Sequence, residues 1–470
     1  MLRLMNPLSF SSRDAAATPI ASFSRRRIEA VSRAIASLTA TLAVVGIVAS
    51  LRAQSNPAPA GSGATTPSDT AVYREMPPIE REIQEENARD QARAERKGLP
   101  FTAESRKPKK KLTMDFSTLV RPRSLGEFQP IWHQPPKRQW WTGNCWCFCT
   151  TSLMESEIHR LTGKEIKLSE MFTVYWEFVE KAREYVRTKG TSLVAEGSQS
   201  EALLLRWKTC GIVPESAYTG LRGTNTVFDQ GPLMDELSGY LGYVKNQQLW
   251  DESIVLPSVR LILNRHLGEP PARITVDGRT MTPQEYLRDV VRLNPDDYVE
   301  FMSFLYAPFW TKAEYEVPDN YWHSKEYYNV PLEEWYGALT KAVQAGFSVT
   351  IAGDVSEIGH EGAEDVALVP SFDMPPERID QSAREFRFAN QTTGDDHGLH
   401  VVGCSRLADH DWFLIKDSSR SGQRGIPGYW FYRGDYLRLK MLTFRVHKDA
   451  VRDLLTRFAS ENAKINRRPE

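Results

Sequence analysis

Apolar residues recur at helical spacing from about Cys145 to Leu161, from Glu170 to Arg187 and from Ser200 to Thr209. The pattern predicts three helices in a row, the first stopped by Gly163. After Phe347 the period changes. Ser348-Val-Thr-Ile-Ala-Gly-Asp-Val355, His400-Val-Val-Gly-Cys-Ser405 and Trp412-Phe-Leu-Ile-Lys-Asp-Ser418 are short β-branched or aromatic runs bounded by Gly, Asp and Ser, as strands are. Helices first and a sheet afterwards predict an α+β domain. No repeat and no second composition break interrupts it, so the stretch from about 225 to 345 reads as a large, mostly helical insertion. Its aromatics Tyr298, Phe301, Phe304, Tyr306, Phe309 and Trp310 are expected to pack.

The N-terminal part follows different rules. Six arginines occur through Arg33, and Ala34 to Leu51 then runs 18 residues without a charge, which reads as an export signal over 1–53. The segment is either removed or retained as an anchor that tethers the chain to a membrane. Both alternatives place the remainder outside the cytoplasm, periplasmic or secreted. Residues 54–112 read as a flexible linker: Gln54 to Thr70 has too little apolar surface to offset the entropy of ordering, and Glu80 to Lys97 is a charged helical spacer. Arg106 to Lys111 is a basic cluster read as a solvated hinge, and the compact domain, 113–470, is expected to begin near Thr113.

A chain of 470 residues with 41% hydrophobic and 25% charged residues can bury a substantial core. Its 59 basic and 60 acidic residues leave a net charge of −1, which argues against general affinity for nucleic acid. Five cysteines are too few for a disulfide scaffold, and the odd number leaves at least one thiol unpaired within the chain.

Gln139-Trp-Trp-Thr-Gly-Asn-Cys145-Trp-Cys-Phe148 is the most informative stretch. It sets a thiol in the first turn of a predicted helix, where unpaired N–H groups and the helix dipole favour a thiolate. Gly143 lets the backbone turn sharply beside it. Cys145, Cys147 and Cys149 do not read as a metal site, because positions i and i+2 of a helix point about 200° apart and no Cys-x2-Cys pair is present. No cofactor is expected. Cys147, Cys149, Cys210 and Cys404 read as small apolar residues, with one or two disulfides open to them in an oxidising compartment.

The spacing Gln139, Cys145, Trp146, Phe148 resembles the nucleophile signature of the papain superfamily of cysteine peptidases. Such a nucleophile needs a distant base and a group to orient it. Asp396-His397-Gly-Leu-His-Val-Val-Gly403 resembles the superfamily's histidine strand, and Trp412 to Ser419 its orienting strand, with Asp417 in the orienting place. Further stretches are similar to the bleomycin hydrolase and aminopeptidase C branch: Leu168-Ser-Glu, Glu196-Gly-Ser-Gln199, Cys210-Gly-Ile-Val-Pro214, Leu267-Gly-Glu-Pro-Pro271, Thr282-Pro-Gln-Glu-Tyr286, Asn329-Val-Pro-Leu and Gly353-Asp-Val. The resemblance spans roughly Asp115 to Ala450.

The resemblance implies a papain-like fold and a peptidase acting on peptide substrates, of aminopeptidase type and broad specificity. It makes Cys145 the nucleophile, His397 its ion-pair partner and proton donor, and Gln139 with the Cys145 N–H the oxyanion site. It makes Gly197 and Ser198 the segment that pairs with extended substrate, and it implies a homo-oligomer, often a hexamer. His400 is expected to face away from His397, and His133, His159 and His410 carry no partner signal. Three positions depart from the family. The orienter is Asp417 rather than Asn, the Trp usually two residues beyond it is Ser419, and the second glycine of the pairing segment is Ser198. In the family the chain's terminal carboxylate captures the substrate amine; here Arg467 and Arg468 precede Glu470, and like-sited charges oppose that role. The alternative reading is a papain-fold protein that binds peptides or partner proteins with impaired catalysis.

Overall fold

The computed structural model describes residues 71–75, 110–419 and 425–467. The three predicted helices are present as α1 (Cys145–Thr162), α2 (Glu170–Arg187) and α3 (Ser200–Cys210). Gly163 ends α1 with φ 71°, a left-handed conformation that costs glycine little. Ser169 caps α2 by accepting the Phe172 N–H. Two further helices, α4 (Gly231–Asn246) and α5 (Glu252–Leu267), pack on each other, and α5 packs on α2. Their buried Leu233, Leu237, Leu241 and Val255, Val259, Leu263 follow the four-residue spacing of one helical face and complete a helical core.

The second half of the chain builds one sheet around β1 (Tyr298–Met302), β2 (Val349–Gly353), β3 (His397–Leu407), β4 (His410–Lys416), β5 (Tyr429–Arg433) and β6 (Met441–His447). Their order is β5-β4-β3-β2-β6-β1, antiparallel throughout, with short edge strands beyond each end. Along β3 the side chains alternate between two helices. Leu399 and Val401 join a core with Trp335 and Leu339 of α6 (Leu332–Gln344), while Gly398 and His400 face α1. Gly398 is required there: a Cβ would stand 2.9 Å from the Cys149 sulfur and 3.5 Å from the Trp146 Cα. That contact seats the start of α1 on the start of β3. Mixed helix and sheet content agrees with the α+β expectation.

Two expectations change. The stretch 225–345 is not simply helical, because β1 lies inside it and pairs with β6 in the main sheet. The linker reading of 54–112 also fails locally: Ala71–Glu75 is a strand paired antiparallel with Lys110–Met114, in register Ala71↔Met114. Thr113 is buried and its hydroxyl donates to Glu361, so the second of these strands joins the compact unit. The proposed signal over 1–53 and the charged spacer Glu80 to Lys97 lie outside the described residues. Among the described residues no helix is long and apolar enough to cross a membrane.

Candidate active site

Helix α1 begins at Cys145, behind the fully buried Asn144 whose carbonyl accepts the Cys147 and Phe148 N–H groups. The first turn carries no acidic residue. Its free N–H groups and dipole therefore act on the Cys145 sulfur without local opposition. All five cysteines are free. The Cys147 and Cys149 thiols donate to the Glu170 and Trp146 carbonyls, and burial pushes both thiols up, so neither is poised to ionise. Cys145 differs from them by lining a cleft together with His397.

His397 stands at the first position of β3 and Asp417 directly follows the last residue of β4, the antiparallel neighbour. The pairing brings both to one end of the sheet. His397 Nε2 donates to Asp417 Oδ1 at 2.8 Å, and the Cys145 thiol, which lines the same cleft, acts on the imidazole as well. Burial alone would pull the imidazole down. The Asp417 charge, its hydrogen bond and the thiol outweigh burial and hold His397 well above its ordinary value. Burial opposes ionisation of Asp417 as well, yet His397 and Ser419 hold its carboxyl well below the usual carboxylate range. The imidazole stands between a carboxylate and a thiol, an arrangement that favours its charged form.

Asp417 has a partner that the sequence pattern does not signal. Trp430 of β5, 1% exposed, donates its indole N–H to Asp417 Oδ2 at 2.9 Å, and the Ser419 N–H and hydroxyl also donate to this carboxylate. Asp417 is 3% exposed, so water does not compete for the imidazole contact. Ser419 and, from the neighbouring strand, Trp430 together close this carboxylate off from solvent.

Gln139 is buried, but its side chain is tied to the loop: Nε2 donates to the Thr142 carbonyl at 2.7 Å and Oε1 accepts the Ser418 hydroxyl at 2.7 Å. One amide hydrogen remains for an oxyanion. Trp140, next in sequence, holds φ 57°, a strained value for a bulky residue and of the kind found at functional loops. The Gly143 N–H donates to Glu196 Oε2 at 3.2 Å, and the Trp146 indole donates to the Glu196 carbonyl. Ser198 lines the cleft, but its hydroxyl turns inward to Glu177. The buried Lys181 ammonium holds the carbonyls of Ala195 and Gly197. Thus Cys145, His397 and Ser198 meet at one cleft and Asp417 stands behind His397, whereas Gln139, Gly143 and Gly197 are not among the residues that line it.

The cleft also holds carboxylates that the sequence reading did not single out, Asp319 and Asp395. Burial raises both, and it raises Glu196 to about 7. His400 bonds the Ser152 hydroxyl of α1, fully buried, which agrees with its expected opposite facing. His133 bonds the Ile131 carbonyl and the Tyr429 hydroxyl, and His159 stacks on Trp132.

No protein-family model matches the chain, and no curated protein matches it in sequence. Among solved structures it is similar to the crystal structure of pepw from Lactobacillus rhamnosis HN001 (DR20), with a TM-score of 0.58 over 72% of this chain and 85% of that one. The two sequences are 18% identical, so what they share is the fold.

Proposed function

We propose that this protein is a cysteine peptidase with a papain-like fold, acting on peptides from their amino end. The observation that carries the reading is the convergence of three groups: the Cys145 thiol at the head of α1, the His397 imidazole held charged beside it, and the buried Asp417 that orients that imidazole. In this reading the thiolate attacks the peptide carbonyl, and the oxyanion is held by the Cys145 N–H and Gln139. The imidazolium then gives its proton to the leaving amine, and water releases the acyl group. The fold shared with pepw supports the framework this requires.

The test combines reactivity with turnover. Cys145 is expected to alkylate with iodoacetamide at least about 10-fold faster than an unactivated thiol, and His397→Ala should abolish that excess together with hydrolysis of aminoacyl anilides. A Cys145 that reacts like a free thiol and is indifferent to His397 sinks the peptidase reading and leaves the peptide-binding alternative.

A further inference from the structure

Beyond β1 the main sheet continues into two short strands, Tyr327–Asn329 parallel to β1 and Thr311–Ala313 antiparallel to that strand. Residues of this edge, of β6 and of α3 line a cavity of about 290 Å³ to which neither Cys145 nor His397 contributes. Helix α3 presents Glu201, Leu204 and Lys208 to it, positions i, i+3 and i+7 of one helical face. The volume stands at the lower end of small-molecule sites, which begin near about 300 Å³.

Its two ends differ in charge. At the closed end the buried Arg445 is shared by two carboxylates, Glu201 at 3.0 Å and the buried Glu300, so one negative charge is in excess there. At the mouth the exposed Lys208 and Lys312 pair with the exposed Asp296 and Glu326, each at 2.5 Å. Exposed pairs of this kind contribute little, so the anionic group of a ligand can replace either carboxylate with little loss. Tyr327 points to an occupant. It lines the cavity, is 1% exposed, and among the described residues its hydroxyl has no hydrogen-bond partner. Glu300, Arg445 and Glu201, which line the same cavity, act on that hydroxyl, as does Asp395 of the cleft. A buried hydroxyl left without a partner is costly, and a ligand that bonds to it removes the cost.

A ligand of one sign suits only one end of this cavity. An anion meets the excess negative charge at depth, and a simple amine leaves both lysines unused. We propose that the cavity is a second binding site, separate from the cleft of Cys145, for a zwitterion of dipeptide size. Its ammonium is held by Glu201, Glu300 and the Tyr327 oxygen, and its carboxylate by Lys208 and Lys312. The inference goes beyond the peptidase reading and does not depend on it.

Calorimetry on the full chain carrying Cys145→Ala reads the site without turnover. The probes are alanylalanine, N-acetylalanylalanine, which lacks the ammonium, and alanylalaninamide, which lacks the carboxylate. Alanylalanine is expected to bind at least about 10-fold more tightly than either. Glu201→Gln should remove most of the preference over the acetylated peptide, and Lys312→Met most of the preference over the amide. Tyr327→Phe should weaken alanylalanine binding by about 2-fold to 10-fold. Its urea midpoint should hold or rise, because the lost hydroxyl has no partner in the fold, which separates a ligand contact from a structural one. None of these three residues lines the cleft of Cys145, and Glu300 is left intact because it lines both places. Equal binding of the three peptides, or no saturable binding of alanylalanine, overturns the site. So does tight alanylalanine binding that all three variants leave unchanged, which would assign the peptide to the Cys145 cleft. Failure of the wild-type protein to hydrolyse aminoacyl anilides would count against the peptidase reading alone.

Discussion

Helix α1 separates two polar environments built from the same kinds of residue. On one side, Lys137 and Lys167 bridge Glu170, Glu155 and Glu215, with Lys137 2.6 Å from Glu170 and Lys167 2.7 Å from Glu155. Lys416 completes this side, donating to Ser152, whose hydroxyl is hydrogen-bonded to His400. On the other side, Asp319 and Asp395 line the cleft and Glu196 accepts the Gly143 N–H; Lys181, the cation that acts on Glu196 and Asp319, has its ammonium occupied by backbone carbonyls. The electrostatic outcomes are opposite. Burial would raise Glu170, but Lys167 and Lys137 bring it down to about 2, whereas Glu196 stays up at about 7. Burial is common to both sides; matched cations are not. The matched side holds its carboxylates charged, and the unmatched side lets Glu196 keep its proton to higher pH.

The largest break of this comparison is Lys167→Met. It leaves Glu155 and Glu170, both nearly inaccessible, without their shared cation. Stranding a buried charge costs about 3–5 kcal/mol, read as a lower urea midpoint at pH 7. The loss should shrink toward pH 4, where the stranded carboxyls take up protons. A shift under about 1 kcal/mol at pH 7 would mean that the paired side contributes little and that the contrast is false.

What was legible in the sequence follows the range of the physics involved. Helices α1 to α3 and the strands carrying His397 and Asp417 announce themselves because periodicity and turn residues are local. Strand β1 does not: it has five residues, its central Glu300 is polar, and its burial depends on Arg445, which pairs with it across the register from β6. Ala71–Glu75 is hidden for the same reason, since its partner lies beyond Lys110. Within the site, Cys145, His397 and Asp417 are legible through the resemblance of the stretches that carry them to the papain superfamily. Trp430 reaches Asp417 only through strand pairing, and Asp319 arrives on a loop with no pattern of its own. The same pairing that hides Trp430 from the sequence keeps the imidazole contact away from water.

Glu196→Gln sharpens the comparison from the unmatched side, with a smaller effect of opposite sign. In the fold this carboxyl is held at about 7, above its ordinary 4.5 in the unfolded chain. The folded state therefore keeps the proton longer, and stability falls as pH rises from 4.5 through 7. The glutamine can still accept the Gly143 N–H and has no charge to bury. It should stabilise the protein by up to about 3 kcal/mol at pH 8 and change little at pH 4.5, read by urea unfolding at both values. Equal effects at the two pH values would show that Glu196 ionises freely and belongs with the matched carboxylates.

The smallest predicted effect concerns Asp417, which touches both environments: it lines the cavity with Lys416 and Glu155, and it orients His397 of the cleft. Its carboxylate accepts from four donors, His397 Nε2, the Ser419 N–H, the Ser419 hydroxyl and the Trp430 indole. An amide cannot serve all of them. With its nitrogen on the Oδ2 side it strands the Trp430 N–H, and on the Oδ1 side it faces the His397 and Ser419 donors. Asp417→Asn also removes the charge that lifts His397, leaving burial to pull the imidazole down. Turnover of an aminoacyl anilide should fall by about 10-fold to 100-fold, and the alkaline limb of the pH profile should move to lower pH. A faster Asn variant with an unmoved alkaline limb would identify the carboxylate as a defect, and the imidazolium of this site would then owe its charge to the thiol alone.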